Sequence, residues 1–557
     1  MKIRYIVLFT CLLSVFLVPG LNKKVQAQKA FEVSKNLEIF TTLYKEINTY
    51  YVDEIQPSDL METGIESMLK TLDPYTVFIP ESKIEDVRVM TTGKYGGIGA
   101  LIQRREDYVI ISEPYEDSPS DKAGLKAGDK ILAIDGKSMK GLSSSDVSEL
   151  LKGEAGTSFL MEVEHYGNGK ADQITITREN IQIPDIPFYE VLENQVGYIK
   201  LTGFTQQAGV KFKKAFNELR AKAQLNGLII DLRDNGGGLL NEAVDIVNLF
   251  VPKGELIVNT KGRLADRSKS YHTRLDPTDT ELPIVVLVNS QSASASEILS
   301  GSVQDLDRGL IVGHRTYGKG LVQNVLPLSY NSQLKVTVAK YYIPSGRCIQ
   351  AIDYSHKDEN GHFGIIPDSL ISEFTTKNGR KVYDGGGVQP DVITELPEIG
   401  EVTINLFGKN MFFDFANEFY LKNEKIDPAA NFEISDQVYD EFVEFLKKRE
   451  FTYATLTERK LEELQKVAED EKYKEKLESL LIELEKEISS CKTNDLEMYK
   501  DQIKEILKAE IVTRYYYQKG RVETMLKNDP EVAKAIELIG NKVQYKTLLT
   551  GHLKDIN

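Results

Sequence analysis

From Val196 the chain alternates short apolar strands with longer helical segments: VGYIKL, then VKFKKAFNELRAKA, GLIIDLR, LLNEAVDIVNLF and PIVVLVN. Strand and helix in strict succession is the pattern of an α/β layer. The flanking texture differs. Residues 28–92 place Leu37, Phe40, Leu43 and Ile47 at helical spacing, which predicts a helical region. From Gly93 the sequence turns to glycine-punctuated alternation (GKYGGIGALIQ, AGLKAGDKILAIDG), with one helix at DVSELLKG and strands MEVEHY and QITITRE. Residues 93–180 therefore form a compact strand-rich module. Beyond 400, Glu, Lys and Leu recur at helical spacing, as in LEELQKVAEDEKYKEKLESLLIELEKE, and predict an all-helical region over 401–557 whose charges form a solvated face. The fold class is α+β multidomain, with an α/β core over 181–400.

The 557 residues suffice for several domains. Lys2 and Arg4 precede the apolar run YIVLFTCLLSVFLV, and Val25-Gln26-Ala27 follows as a small-residue site, so residues 1–27 read as a signal peptide cleaved after Ala27. An uncleaved anchor is the alternative, although the run is shorter than the roughly 20 residues of a comfortable span. The protein is expected to be exported, to a periplasm or cell envelope, and membrane-associated if the signal stays. Cleavage removes four basic residues and no acid, which takes the formal charge from -15 to -19. So acidic a chain, without a basic block, argues against nucleic acid. Only Cys348 and Cys491 remain after processing, which excludes a disulfide framework. Six scattered histidines, with no His-Glu-x-x-His and no Cys-x-x-Cys, point to no metal.

PIVVLVN runs into NSQSASASEILSG, so Ser290, Ser292, Ser294 and Ser296 sit on a strand-to-helix turn. A helix start exposes unpaired N–H groups and the positive end of the dipole, which suits an attacking oxygen and the oxyanion it creates. Only Ser294 has a glutamate three residues on, Glu297. That spacing is also a capping box, and turn chemistry alone leaves nucleophile and cap both open. A serine needs a base. No histidine stands in a triad context, His314 and His272 included, whereas Lys319 in RTYGKGLVQ lies between two glycines that let the backbone pack closely and desolvate the ammonium. Gly313-x-x-x-x-Gly318-Lys319 also matches most of a phosphate-binding loop, but Gly320 stands where Ser or Thr would hold magnesium, and LVQNVLPL reads as a strand, not a helix. The third element, GLIIDLRDNGGGLL, can present backbone N–H groups to a developing negative charge, or be a tight strand–helix connection.

In combination these segments resemble the carboxy-terminal processing, or tail-specific, serine protease family: SASASEI, TYGKGLVQ and DLRDNGGG match its core motifs in order, and YYIPSGRCIQ a fourth. The resemblance implies Ser294 as nucleophile, Lys319 as general base, Gln323 as its orienting partner, and the N–H groups of Ala295 and Gly237 as oxyanion donors. Residues 93–180 resemble the PDZ domain inserted in such proteases, with Gly97, Ile98 and Gly99 at the carboxylate-binding loop. It implies protein substrates held by their C-terminus, cut near small apolar residues, with no metal or organic cofactor. A homodimer, and an adaptor on the C-terminal helices, are compatible with it. Gly236 replaces the usual proline, His314 a common glutamate, and about 35 residues are inserted between GRCIQ and Gly387-Val388-Gln389-Pro390-Asp391. A catalytically silent envelope PDZ scaffold is the rival reading, and it needs a missing dyad member. A related protease that trims oligopeptides with a histidine–serine pair is a second, against which the Lys-Gln motif speaks.

Overall fold

The computed structural model describes residues 28–358, 361–395 and 398–551, so the expected signal peptide lies outside the described residues. The chain forms two compact units, divided between Phe78 and Ile79. In the first, a helix over 28–50 is followed by the helix Pro57–Leu69. Pro57 suits that start, since its missing N–H would have had no helical partner. Tyr44 Oη donates to the Pro57 carbonyl at 2.7 Å.

The second unit opens with the helix Ile84–Thr92, which leads into the strand-rich module. Antiparallel strands run Ala100–Arg105, Tyr108–Pro114, Lys130–Ile134, Ser158–Glu164 and Ala171–Thr177 in spatial order, with Ala100–Arg105 at the edge. Ile98, Val109, Ile111, Leu125, Val147 and Phe159 fill its core, Val147 from the helix Ser144–Leu151. Lys94–Gly97 pairs antiparallel with Glu179–Gln182, so the chain enters and leaves the module side by side, as an insertion requires.

The α/β layer is a six-stranded sheet in the order Phe188–Leu192, Val196–Lys200, Gly227–Asp231, Ile284–Val288, Leu310–Gly313, Val392–Ile393. All neighbours except the first pair are parallel. The runs GLIID and IVVLV are buried at every position, as strands covered on both faces must be. Strand periodicity sends Leu228, Ile230, Val286 and Val288 to one face, against Phe212, Phe216, Ile246, Ile298 and Leu299 of the three helices that follow the strands. Tyr198, Ile229, Val285 and Leu287 point the other way. They are covered by the last two helices of the described chain, Pro530–Gly540 and Lys542–Thr550, through Val532, Ala535, Leu538, Ile539 and Tyr545. Tyr545 Oη donates to the Ile284 carbonyl at 2.8 Å and accepts from its N–H at 2.9 Å.

A second sheet pairs Leu321–Pro327 with Gln333–Tyr342, and that strand with Leu256–Gly262. The inserted residues after GRCIQ make two hairpins, Ile352–Lys357 with Phe363–Ile365 and Glu373–Thr375 with Lys381–Tyr383. Helices Glu401–Gly408, Met411–Lys422, Asp436–Lys448 and Lys500–Leu526 pack around Phe412, Phe415, Phe442 and Phe445. Among the described residues no helix is long and apolar enough to cross a membrane.

Candidate active site

Three loops leave the C-terminal ends of the parallel strands, where α/β sheets place their ligands. The first is the serine turn between Ile284–Val288 and the helix Ala295–Asp305. Its four hydroxyls have different fates. Ser292 Oγ donates to the Leu232 carbonyl at 2.8 Å and accepts from Asn289 N–H at 3.0 Å, while Ser296 Oγ donates to the Asn235 carbonyl at 2.8 Å. Both are wholly buried and hold loops together. Ser290 is exposed on the outside of the turn. Ser294 is partly exposed, immediately before the helix, with φ 56° and ψ -111°. A non-glycine residue in that region is strained, and such strain persists only where the surroundings over-determine it.

Glu297 supplies much of that surrounding. Its side chain is fully buried, yet four donors converge on it: Thr316 Oγ1 at 2.6 Å and Gly318 N–H at 2.7 Å on Oε1, Ser294 N–H at 2.8 Å and Lys319 N–H at 2.9 Å on Oε2. A single oxygen therefore holds the backbones of Ser294 and Lys319 as neighbours. Burial pushes the Glu297 carboxyl up to about 7, against the four hydrogen bonds that favour its charged form. The box spacing between Ser294 and Glu297 is real, but the bonds that cap the helix are Ser294 N–H to the carboxylate and Glu297 N–H to the Ser294 carbonyl at 2.9 Å. No side-chain cap hydrogen bond comes from Ser294 Oγ. From sequence, Glu297 reads only as a capping residue; its link to the lysine loop spans a contact no local pattern carries.

The second loop, 313–320, brings Lys319 in partly buried. Its glycines serve close approach. Gly318 has φ +86°, and a Cβ there would stand 2.4 Å from Ala351 Cβ; one on Gly320 would stand 2.8 Å from Gln350 N. Gly320 N–H donates to Gln350 Oε1 at 2.8 Å, and Ala351 N–H to the Gly318 carbonyl at 2.9 Å, so the GRCIQ motif and the start of the insert form the wall behind the lysine. Gln323 follows on Leu321–Pro327, its Nε2 donating to Thr337 Oγ1 at 3.2 Å.

The glycine run is the third loop. A Cβ on Gly237 would lie 2.8 Å from Ser294 Cβ and 2.9 Å from Ala295 N, so only glycine lets this loop touch the serine turn. Ala295 N–H, at the first position of its helix, has no intrahelical acceptor. Gly237 differs from the sequence expectation in one respect: its N–H donates to Asn235 Oδ1 at 2.9 Å and is not free for an oxyanion.

Three family models match the chain: "Peptidase family S41" over residues 195–371, "PDZ domain" over 110–165 and "Probable PDZ-protease, C-terminal helical domain" over 402–539. Among curated proteins, the carboxy-terminal-processing protease of Bartonella bacilliformis is 34% identical over 342 residues, which cover 61% of this chain and 76% of that one. The chain belongs to the carboxy-terminal processing protease family. It is a family of serine proteases with a PDZ domain. The carboxy-terminal processing protease CtpA of Bacillus subtilis is 29% identical, with 68% and 81% of the two chains covered. The solved photosystem II D1 C-terminal processing protease is 28% identical, with 66% of this chain and 96% of that one covered and a TM-score of 0.35.

In the PDZ domain, Gly97, Ile98 and Gly99 are buried directly before the edge strand. Gly99 has φ +71°, and its carbonyl accepts from Tyr115 N–H at 2.8 Å, Ser118 Oγ at 2.8 Å and Ser120 Oγ at 2.7 Å. The Ile98 carbonyl accepts from Ser120 N–H at 2.8 Å. With these carbonyls tied back into the domain, the loop leads directly into the Ala100–Arg105 edge strand; PDZ domains add a peptide strand at such a sheet edge. Among the described residues no cluster of three or more His, Cys, Asp or Glu side chains could hold a metal.

Proposed function

We propose that the protein is an exported endopeptidase in which Ser294 attacks the peptide carbonyl and Lys319 is the general base, with substrates selected by their C-terminal tails at the PDZ edge strand. The observation that carries this reading is the shared Glu297 oxygen, which pins the only strained and accessible serine of the turn beside the glycine-flanked lysine. Ser294 Oγ bonds to the carbonyl carbon as its proton passes to the neutral Lys319 amine. The oxyanion falls to Ala295 N–H, and to Gly237 N–H once it leaves Asn235 Oδ1. The C–N bond then breaks, the Lys319 ammonium protonates the leaving amine, and water, deprotonated by the same lysine, hydrolyses the acyl-enzyme. Gln323 orients the lysine. The amino-terminal basic, apolar and small-residue pattern supports export.

One experiment tests chemistry and recognition together. An unstructured polypeptide with an apolar C-terminus, as free acid and as amide, is incubated with the wild type, Ser294→Ala and Lys319→Ala, and fragments are mapped by mass spectrometry. Both variants lose cleavage, and the wild type cuts the amide roughly ten- to a hundred-fold more slowly, as the loss of a charge-assisted hydrogen bond of about 1.5–3 kcal/mol dictates. Cleavage retained in Ser294→Ala overturns the dyad. Equal rates on the two substrates overturn tail recognition.

A further inference from the structure

The arginine of DLRDNGGG lies four residues before Gly237, and it reaches across the sheet end to the far part of the chain. Arg233 Nη2 is 2.7 Å from Asp529 Oδ2, and Nη1 is 2.7 Å from Glu531 Oε2. The same guanidinium meets Asp231 through Nη2 at 2.7 Å and Nε at 3.0 Å. All four side chains are at most 16% exposed. Lys200 Nζ donates to the Arg233 carbonyl at 2.9 Å, so the backbone is gripped as well.

Asp529 and Glu531 flank the start of helix Pro530–Gly540. Asp529 Oδ1 caps that helix, accepting from Glu531 N–H at 2.9 Å and Val532 N–H at 3.1 Å, while its other oxygen takes Arg233. Glu531 turns its second oxygen to the lysine loop: Oε1 accepts from Thr394 Oγ1 at 2.8 Å, lies 3.5 Å from His314 Nε2, and would be 3.3 Å from a Cβ on Gly313. One helix turn thus touches the base of the glycine-rich loop and the base of the loop that carries Lys319. Downstream of Arg233 the path to the serine is short. Asn289 Nδ2 donates to Asp234 Oδ1 at 2.8 Å, Asp234 N–H donates to Asn289 Oδ1 at 3.0 Å, and the Asn235 carbonyl accepts from Ala293 N–H at 3.0 Å.

We infer that the first turn of helix Pro530–Gly540 is a positioning element of the active site, with Asp529 and Glu531 holding Arg233 so that the glycine-rich loop stays seated against Ser294 and Ala295. The C-terminal helical region then supplies residues on which the rate of acyl transfer depends, although none of them touches the substrate. The inference rests on the Ser294/Lys319 reading. A guanidinium fork shared among the carboxylates of Asp231, Asp529 and Glu531 is directional where a point charge is not, so Arg233→Lys should recover the charge but not the seating.

The test is steady-state cleavage of a short quenched peptide by the full-length protein. Asp529→Asn keeps a good helix cap and Glu531→Gln keeps the shape, so the double variant removes charge with little change in packing. It is expected to lower kcat at least ten-fold with KM within two-fold, and Arg233→Lys to lower kcat by a smaller factor. The double substitution made in the Arg233→Lys background should add much less than in the wild type, since the residues act as one unit. An unchanged kcat with a lower melting temperature overturns the inference and leaves a tie that only stabilises. If the double variant does not fold, Arg233→Lys decides alone: an unchanged kcat there also overturns it. Ser294→Ala is run alongside, because cleavage retained in that variant defeats the dyad itself, a failure distinct from that of the clamp.

Discussion

The C-terminal helical region docks on two partners within the second unit, and the two surfaces are built from opposite materials. Against the protease sheet, Val532, Ala535, Leu538, Ile539 and Tyr545 meet Tyr198, Ile229, Val285, Leu287 and Val312 in one continuous apolar layer, with the Arg233 cluster at its rim. Against the PDZ domain the only buried apolar cluster among the described residues is Ile110, Ala127 and Phe413. The rest is polar: Arg105 forks onto Asp414, Gln518 donates to Glu113, and Tyr517 Oη donates to Asp121 at 2.9 Å. A cavity of about 340 Å³ remains between Lys126, His165, Tyr166, Asn417, Arg514 and Tyr517. Among the described residues, buried Glu113 Oε1 and Asn417 Nδ2 have no hydrogen-bond partner there. The first surface is a core that happens to be completed by the end of the chain; the second is an interface between folded pieces.

The largest effect that separates them is on stability. Leu538 is wholly buried against the sheet, so Leu538→Ala should cost about 2–5 kcal/mol, through lost burial and the cavity left behind. Chemical denaturation with the protease and PDZ signals followed separately would check it. Equal or smaller losses than those of seam variants would erase the distinction between the surfaces.

The sheet side was legible only in part. PIVVLVN and GLIIDLR announce buried strands, and SEILSGSVQDL announces the helix that follows Ser294, because those patterns are local. The Glu297 spacing singles out Ser294 among the four serines but leaves cap and nucleophile both open, and only the family resemblance implies the second. What stays invisible is pairing across distance. Arg233 and Glu531 are 298 residues apart, and nothing in PEVAKAIELIG distinguishes a helix that closes a sheet from one that packs on its neighbours. The competition of Asn235 Oδ1 for Gly237 N–H is likewise a matter of loop conformation, which glycine leaves open by its nature.

A second contrast lies in the response to acid, and its sign differs between the surfaces. Burial raises the Glu113 carboxyl, while Gln518, Arg521 and Arg514 pull it down and Glu510 adds to the rise. An acid with a raised folded pKa stabilises most when protonated, and that contribution fades as pH climbs through its folded value. Asp231 is the reverse. Burial raises it, but Arg233 and Lys200 outweigh burial and bring it to about 2, so its contribution is complete above the usual carboxylate range and is lost as pH falls towards 2. Between neutral pH and the usual carboxylate range the Glu113 contribution should therefore grow while that of Asp231 stays complete. Protection factors of the amides on strand Tyr108–Pro114, corrected for the intrinsic slowing of exchange towards acid, should be higher at pH 5 than at pH 7, and Glu113→Gln should remove the difference. Lower protection factors at pH 5 would contradict the burial argument.

The smallest expected effect belongs to Tyr517, and its size is the sharpest measure of the seam. Helix Lys500–Leu526 is interrupted there, at φ 52° and ψ -160°, a conformation a bulky side chain rarely adopts. The break turns the Tyr517 hydroxyl to Asp121 and places Gln518 beside Glu113. Tyr517→Phe keeps the ring and the backbone but deletes one hydrogen bond at a partly exposed site, so the loss should be about 1 kcal/mol or less. A melting temperature within a few degrees of wild type, and peptide cleavage unchanged, are the expected results. A loss as large as that of Leu538→Ala would mean that the kinked turn is a keystone, and that the PDZ seam belongs to the same cooperative core as the sheet.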